Sequence, residues 1–208
     1  MTRRNAVPIQ RPEPPQPSLD VLQAMLPALM GSAGIRHSAP NFAASLVNSP
    51  RSLSSPGLSY PVYTLGLDNV AAGASVGKAK LAAWRHEFVS GDEVVAAEVS
   101  AGKRPTFSGV NVSSRFRSVS QELRSAADTG KGFTEQTFQP RLLQISALGV
   151  RALWLKAKPP SRTDVVIPLE PTHSKLTANR HYSPAEFIEA LRPAATELLR
   201  ADAPGKGA

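Results

Sequence analysis

The 208-residue chain contains no cysteine. That absence removes disulfide bridges, thiolate nucleophiles, iron–sulfur clusters and cysteine-ligated zinc together, and with them the small disulfide-stapled extracellular domains. Long apolar runs are missing too: no stretch approaches the roughly 18 residues that a membrane-spanning helix needs. A secretory leader is not expected, because Arg3 and Arg4 are followed by "NAVPIQRPEPPQP" where an apolar segment should begin, and the same polar run argues against a twin-arginine signal. The expectation is a cytoplasmic protein. An organelle-type targeting segment is the minor alternative, since residues 1–60 are rich in arginine and serine and hold only Glu13 and Asp20 as acids.

Acidic residues are scarce throughout. Lysine and arginine number 24 against 16 aspartates and glutamates, giving a net charge of +8, which favours an anionic partner such as nucleic acid, an acidic protein or a lipid surface. The surplus is scattered rather than blocked. Local pairs occur at Lys78 and Lys80, at Lys103 and Arg104, at Arg115 and Arg117, and around Lys156, Lys158 and Arg162. The anion- or nucleic-acid-binding candidates among them are Lys103, Arg104, Arg115, Arg117, Lys156, Lys158 and Arg162; converging on one face, they would form a phosphate-binding groove of strong salt dependence.

Proline, by contrast, is abundant, and nine of its 19 residues fall within residues 1–58. Together with the serine-rich "NFAASLVNSPRSLSSPGLS" they mark residues 1–58 as a largely extended or disordered arm, whose composition buries too little apolar surface to offset chain entropy. One segment of the arm stands apart. In "SLDVLQAMLPALMG" Leu19, Leu22, Met25, Leu26 and Leu29 recur at helical spacing behind Ser18, so a short amphipathic helix is expected over about 18–30. Such a helix either covers its own domain or lies in a partner's groove, and Leu22, Met25, Leu26 and Leu29 are its candidate partner-binding residues.

Residues 59–201 read as one α+β domain, followed by a disordered tail over 202–208. Strand patterns run through "YPVYTLGL", the pair "WRHEFVSGDEVVAAEVSA", the two-faced apolar segment "FQPRLLQISALGVRALWLK", and "DVVIPLE", where Pro168 implies a sheet edge or a bulge. Helical spacing falls on Phe116, Val119, Leu123 and Ala126, and again after "YSPAEF". In that last motif Ser183, Pro184 and Glu186 form a capping box, with Tyr182 and Phe187 spaced as a hydrophobic staple. Tight turns between successive strands predict a mostly antiparallel sheet of about five strands, with two main helices on one face.

The patterns closest to chemistry fall short of it. "GASVGK" lacks the spacing and the hydroxyl of a phosphate-binding loop, and "HEFVS" has Ser90 where a zinc-binding helix needs its second histidine. "GASVG" does satisfy G-x-S-x-G at Ser75, and Asp164 and His173 (or His181) follow in serine-hydrolase order, but "DNVAA" is a poor entering strand. His86 alternates in phase with Trp84 and Phe88, which suits a base-stacking row or, more simply, a core row. No ligand spacing among the histidines supports a metal, and no cofactor is expected. The favoured reading is a non-catalytic binding or accessory module that recruits a protein partner through its N-terminal arm. The alternatives are a nucleic-acid-binding protein and, second, a hydrolase built on Ser75, Asp164 and His173.

Overall fold

Two antiparallel runs of strand join at a single parallel contact. The computed structural model describes residues 9–48, 57–90, 93–113, 119, 137–159 and 163–202. Its strands are β1 (Leu58–Thr64), β2 (Lys80–Ser90), β3 (Glu93–Ser100), β4 (Phe107–Ser113), β5 (Phe138–Ile145), β6 (Val150–Ala157) and β7 (Val165–Pro168). They form one 7-stranded sheet in the order β4-β3-β2-β1-β5-β6-β7, which revises the expected number upward. Every neighbour is antiparallel except β1 and β5, where Val62–Thr64 lie beside Leu142–Gln144. Three of the expected apolar segments become β1, the β2–β3 pair and the β5–β6 pair. The last of these turns through Ser146–Leu148 and Gly149, whose φ of 63° lies in the left-handed region that glycine tolerates best.

Helices α1 (Gln16–Gly31), α2 (Ala33–Ser38), α3 (Pro40–Asn48), α4 (Leu67–Ala71) and α5 (Pro184–Ala201) complete the described elements. Helix α1 contains the helix expected over about 18–30, whereas α2 and α3 are helical where composition implied extended chain. Leu22, Leu29, Ile35 and Phe42 are buried in one cluster with Phe88, Val95, Ala97 and Val99, so local proline content is overridden by tertiary burial. The proline at position 27 is accommodated inside α1.

The register fixes which side chains share a face. His86, Phe88, Val95, Ala97 and Val99 point to the side that α1–α3 cover, and Leu143, Ile145, Val150, Ala152, Trp154 and Val166 continue the same side under α4 and α5. The opposite side carries Leu58, Tyr60, Val62, Leu142, Leu153, Leu155 and Ile167, packed with Val119. The helix expected around Phe116 to Ala126 lies outside the described residues except for Val119, which is helical and buried on this opposite side. Of the two main helices foreseen on one face, α5 packs on the side that α4 also covers, and the other lies outside the described residues apart from Val119.

The capping box at α5 forms as expected. Glu186 N–H donates to Ser183 Oγ at 3.3 Å, and Ser183 N–H donates to Glu186 Oε2 at 2.8 Å. Hydrogen bonding from the Ser183 N–H, and then from its hydroxyl, holds the Glu186 carboxyl below its ordinary range, and the Tyr182 and Phe187 rings meet at 6.4 Å to close the staple. Behind them Phe187, Ile188, Leu191 and Ala195 are the buried stripe. Replacing Ser183 with alanine removes a bond to a helix N–H, so Ser183→Ala is expected to lower unfolding free energy by ~1 kcal/mol, and Phe187→Ala by ~3–5 kcal/mol. Urea denaturation midpoints check both, and an unchanged midpoint for Ser183→Ala would show that the cap contributes nothing.

Candidate functional site

The antiparallel register sorts the basic candidates by sheet end. Lys103 and Arg104 are exposed in the β3–β4 connection, at the end where β2 begins, which also carries exposed Lys78 and Lys80. Lys156 and Lys158 sit at the far end, where β6 closes on the start of β5. Eight residues of β6 separate the two ends, or roughly 25 Å at ~3.3 Å per residue. Lys156 is moreover engaged, its Nζ lying 3.0 Å from Asp164 Oδ2. Arg115, Arg117 and Arg162 lie outside the described residues. The described pairs therefore do not gather into one groove.

The hydrolase candidates are also held apart. Ser75 precedes β2 at the first end, where its Oγ caps a 3-10 turn by accepting from Gly77 N–H at 3.2 Å. Asp164 precedes β7 at the far end and is buried, with its carboxylate accepting from Trp154 Nε1 at 3.0 Å, Ala157 N–H at 3.0 Å and Lys156 Nζ. His173 Nδ1 accepts from Lys175 N–H at 3.2 Å. No hydrogen bond joins these three residues to one another, so Asp164 orients the β6–β7 hairpin rather than an imidazole. Ser75 does line a cavity of about 370 Å³ with Gly73, Ala74, Ser183, Pro184, Ile188 and Glu189, where a Cβ on Gly73 would lie 3.6 Å from the Arg192 guanidinium. Among the described residues no group of three or more His, Asp or Glu side chains is placed to hold a metal ion.

His86 resolves as a core residue. Its ring is fully buried, with Nε2 3.0 Å from Ser18 Oγ on α1 and Nδ1 2.9 Å from Ser59 Oγ on β1. Burial lowers its pKa from 6.5 to about 4, so the neutral ring bridges α1 to the sheet. A second attachment of the N-terminal layer lies at Glu93, whose carboxylate accepts from Phe42 N–H at 2.9 Å and from the Asn41 side-chain amide at 3.1 Å.

Two polar groupings escaped the sequence pattern. On the helix-covered face the Arg141 guanidinium lies 4.9 Å from the Tyr63 ring centroid and 4.9 Å from that of Trp154. Its only sequence signal is its phase with Leu143 and Ile145. On the other face Tyr60 Oη donates to the buried Glu87 carboxylate at 2.5 Å, Val119 N–H donates to the same oxygen at 3.3 Å, and Arg85 lies 3.7 Å from Glu98. Burial, and then the Glu87 charge, push the Tyr60 phenol well above its ordinary pKa of 10.

The α1 candidates divide in two. Leu22 and Leu29 are buried against the sheet, whereas Met25 and Leu26 are half-buried at the margin, and Gln23, Ala24, Pro27 and Ala28 are exposed. No helix among the described residues is long and apolar enough to cross a membrane. No family model, curated protein or solved structure matches the chain.

The buried neutral histidine has a measurable consequence. Its folded-state pKa lies below the unfolded value of 6.5, so the folded state is fully favoured above about pH 6.5 and loses stability as pH falls toward 4. At ~1.4 kcal/mol per unit, this protonation is expected to remove ~3 kcal/mol by about pH 4. Denaturation curves across that range check it, because a His86→Gln variant should lack this part of the pH slope.

Proposed function

We propose that the chain is a non-catalytic binding module that recruits a protein partner through its N-terminal region, with the outward surface of α1 as the contact. The observation that carries this reading is the composition of that surface. Surface helices ordinarily carry charged and polar residues on their solvent side. From Val21 to Gly31, α1 has no charged residue, and over Val21–Leu29 its exposed positions are Gln23, Ala24, Pro27 and Ala28, flanked by half-buried Met25 and Leu26. An uncharged, partly apolar surface supports a contact there. Because Leu22 and Leu29 are committed to the core, recruitment rests on Met25, Leu26 and the alanines beside them.

Truncation is a poor test, since residues 16–48 supply Leu22, Leu29, Ile35 and Phe42 to the core. Point changes at exposed sites avoid this. The double variant Ala24→Glu, Ala28→Glu is expected to unfold within ~0.5 kcal/mol of the parent and to lose the protein captured by the parent chain in quantitative affinity purification. Retention of every captured protein by a stably folded variant would sink the proposal.

A further inference from the structure

The two edges of the sheet are unlike. At one edge β7 is short, ends in Pro168 and is bridged at Val166 by Tyr182, all of which discourage a further strand. At the other edge β4 runs from Phe107 to Ser113 as "FSGVNVS", with neither charge nor proline. It pairs with β3 alone, and no hydrogen bond reaches its outer side among the described residues. A bulge disturbs its start, where Gly109 pairs with Glu98 but Phe107 with Val99, leaving Gly109–Ser113 in regular register.

Among the described helices, α1 packs against this edge. It starts over β2, where Ser18 meets His86, and reaches β3 and β4 farther along. Val21 and Leu26 from α1 and Phe107, Val110 and Val112 from β4 are all partly buried at the margin of the same apolar cluster. Exposed Lys103 and Arg104 stand beside the start of β4, with Lys78 and Lys80 at the same sheet end.

We propose that β4 is a docking edge for an extended, acidic segment of a protein partner, which adds antiparallel to Gly109–Ser113 and rests its inward side chains on α1. This rests on the reading of α1 as the recruiting helix and specifies how the partner is held. Main-chain hydrogen bonds supply affinity in such strand addition, and alternate side chains supply specificity. Antiparallel addition sets the segment's C-terminal flank beside Lys103 and Arg104, so acidic residues belong there. Charge also selects against a second copy of this chain, because each copy carries +8.

The probe is a fluorescent peptide of alternating valine and threonine followed by three glutamates, titrated into the full chain at low salt. Binding should slow hydrogen exchange at the Gly109–Ser113 amides. Lys103→Glu, Arg104→Glu should weaken it by about tenfold, which is ~1.4 kcal/mol, and added salt should weaken it too. N-methylation of every second peptide amide should abolish binding in one phase and spare the other, a readout that leaves the chain's own fold untouched. Equal binding of both N-methylated phases, equal binding of a glycine–serine peptide with the same glutamates, or absent protection at β4 would overturn the proposal. So would concentration-dependent dimers protected at β4, which would make the occupant a second copy. Loss on Ala24→Glu, Ala28→Glu with no N-methylation dependence would retain the α1 reading and reject strand addition, whereas binding indifferent to both would reject the two together.

Discussion

Three register pairs between β1 and β5 turn two antiparallel halves into one sheet. Without that parallel ladder, β1–β4 and β5–β7 would each leave an unpaired edge in the middle of the molecule, and neither apolar face would be continuous. The other elements depend on it. Leu142 and Leu143 lie beside Val62 and Tyr63, so the clusters on the two faces pass from one half to the other at this point. Helix α4 follows β1 in the chain yet packs on α5, which follows β7, and so spans the junction from above. Upstream of the ladder, Ile9 pairs in parallel with Phe138 at the start of β5.

The polar groups in the interior are consistent with this division of labour. Each one links elements that apolar contact alone would hold less specifically: His86 joins α1 to β1 and β2 through two serines, Glu93 takes the start of α3, and Asp164 ties the β6–β7 connection to Trp154. Leaving buried His86 or Asp164 unpaired costs more than the bond contributes when made, which gives such contacts their selectivity for one arrangement. Groups that resemble catalytic parts in the sequence are thereby committed to structure. Ser75 closes its own turn, and Asp164 has three donors of its own.

The asymmetry of the sheet edges connects the fold to its use. A strand edge like β4, without charge or proline and without a partner on its outer side among the described residues, is ordinarily a liability. Here it lies beside a helix that carries no charge from Val21 to Gly31, and exposed cations stand at one end. The features form a single region of the surface, separated from Lys156 and Lys158 by the length of the strands.

What the sequence determined by itself was local. The capping box at Ser183 and Glu186, the staple of Tyr182 and Phe187, the alternation of Val150 to Leu155 and the edge placement of Pro168 all depend on neighbours within a few residues, so spacing alone expresses them. Tertiary structure decided everything that joins distant segments. The spacing in 18–30 expressed α1, but α2 and α3 joined it as a helical layer because β2–β4 offered Phe88, Val95 and Val99 to Leu22, Leu29 and Phe42, a gain that no local propensity records. The basic pairs were separated by antiparallel register, and Ser75 and Asp164 by the strands between them. Arg141 and Tyr63 meet only because β5 lies parallel beside β1, a pairing between residues almost eighty positions apart that leaves no periodic trace in the chain.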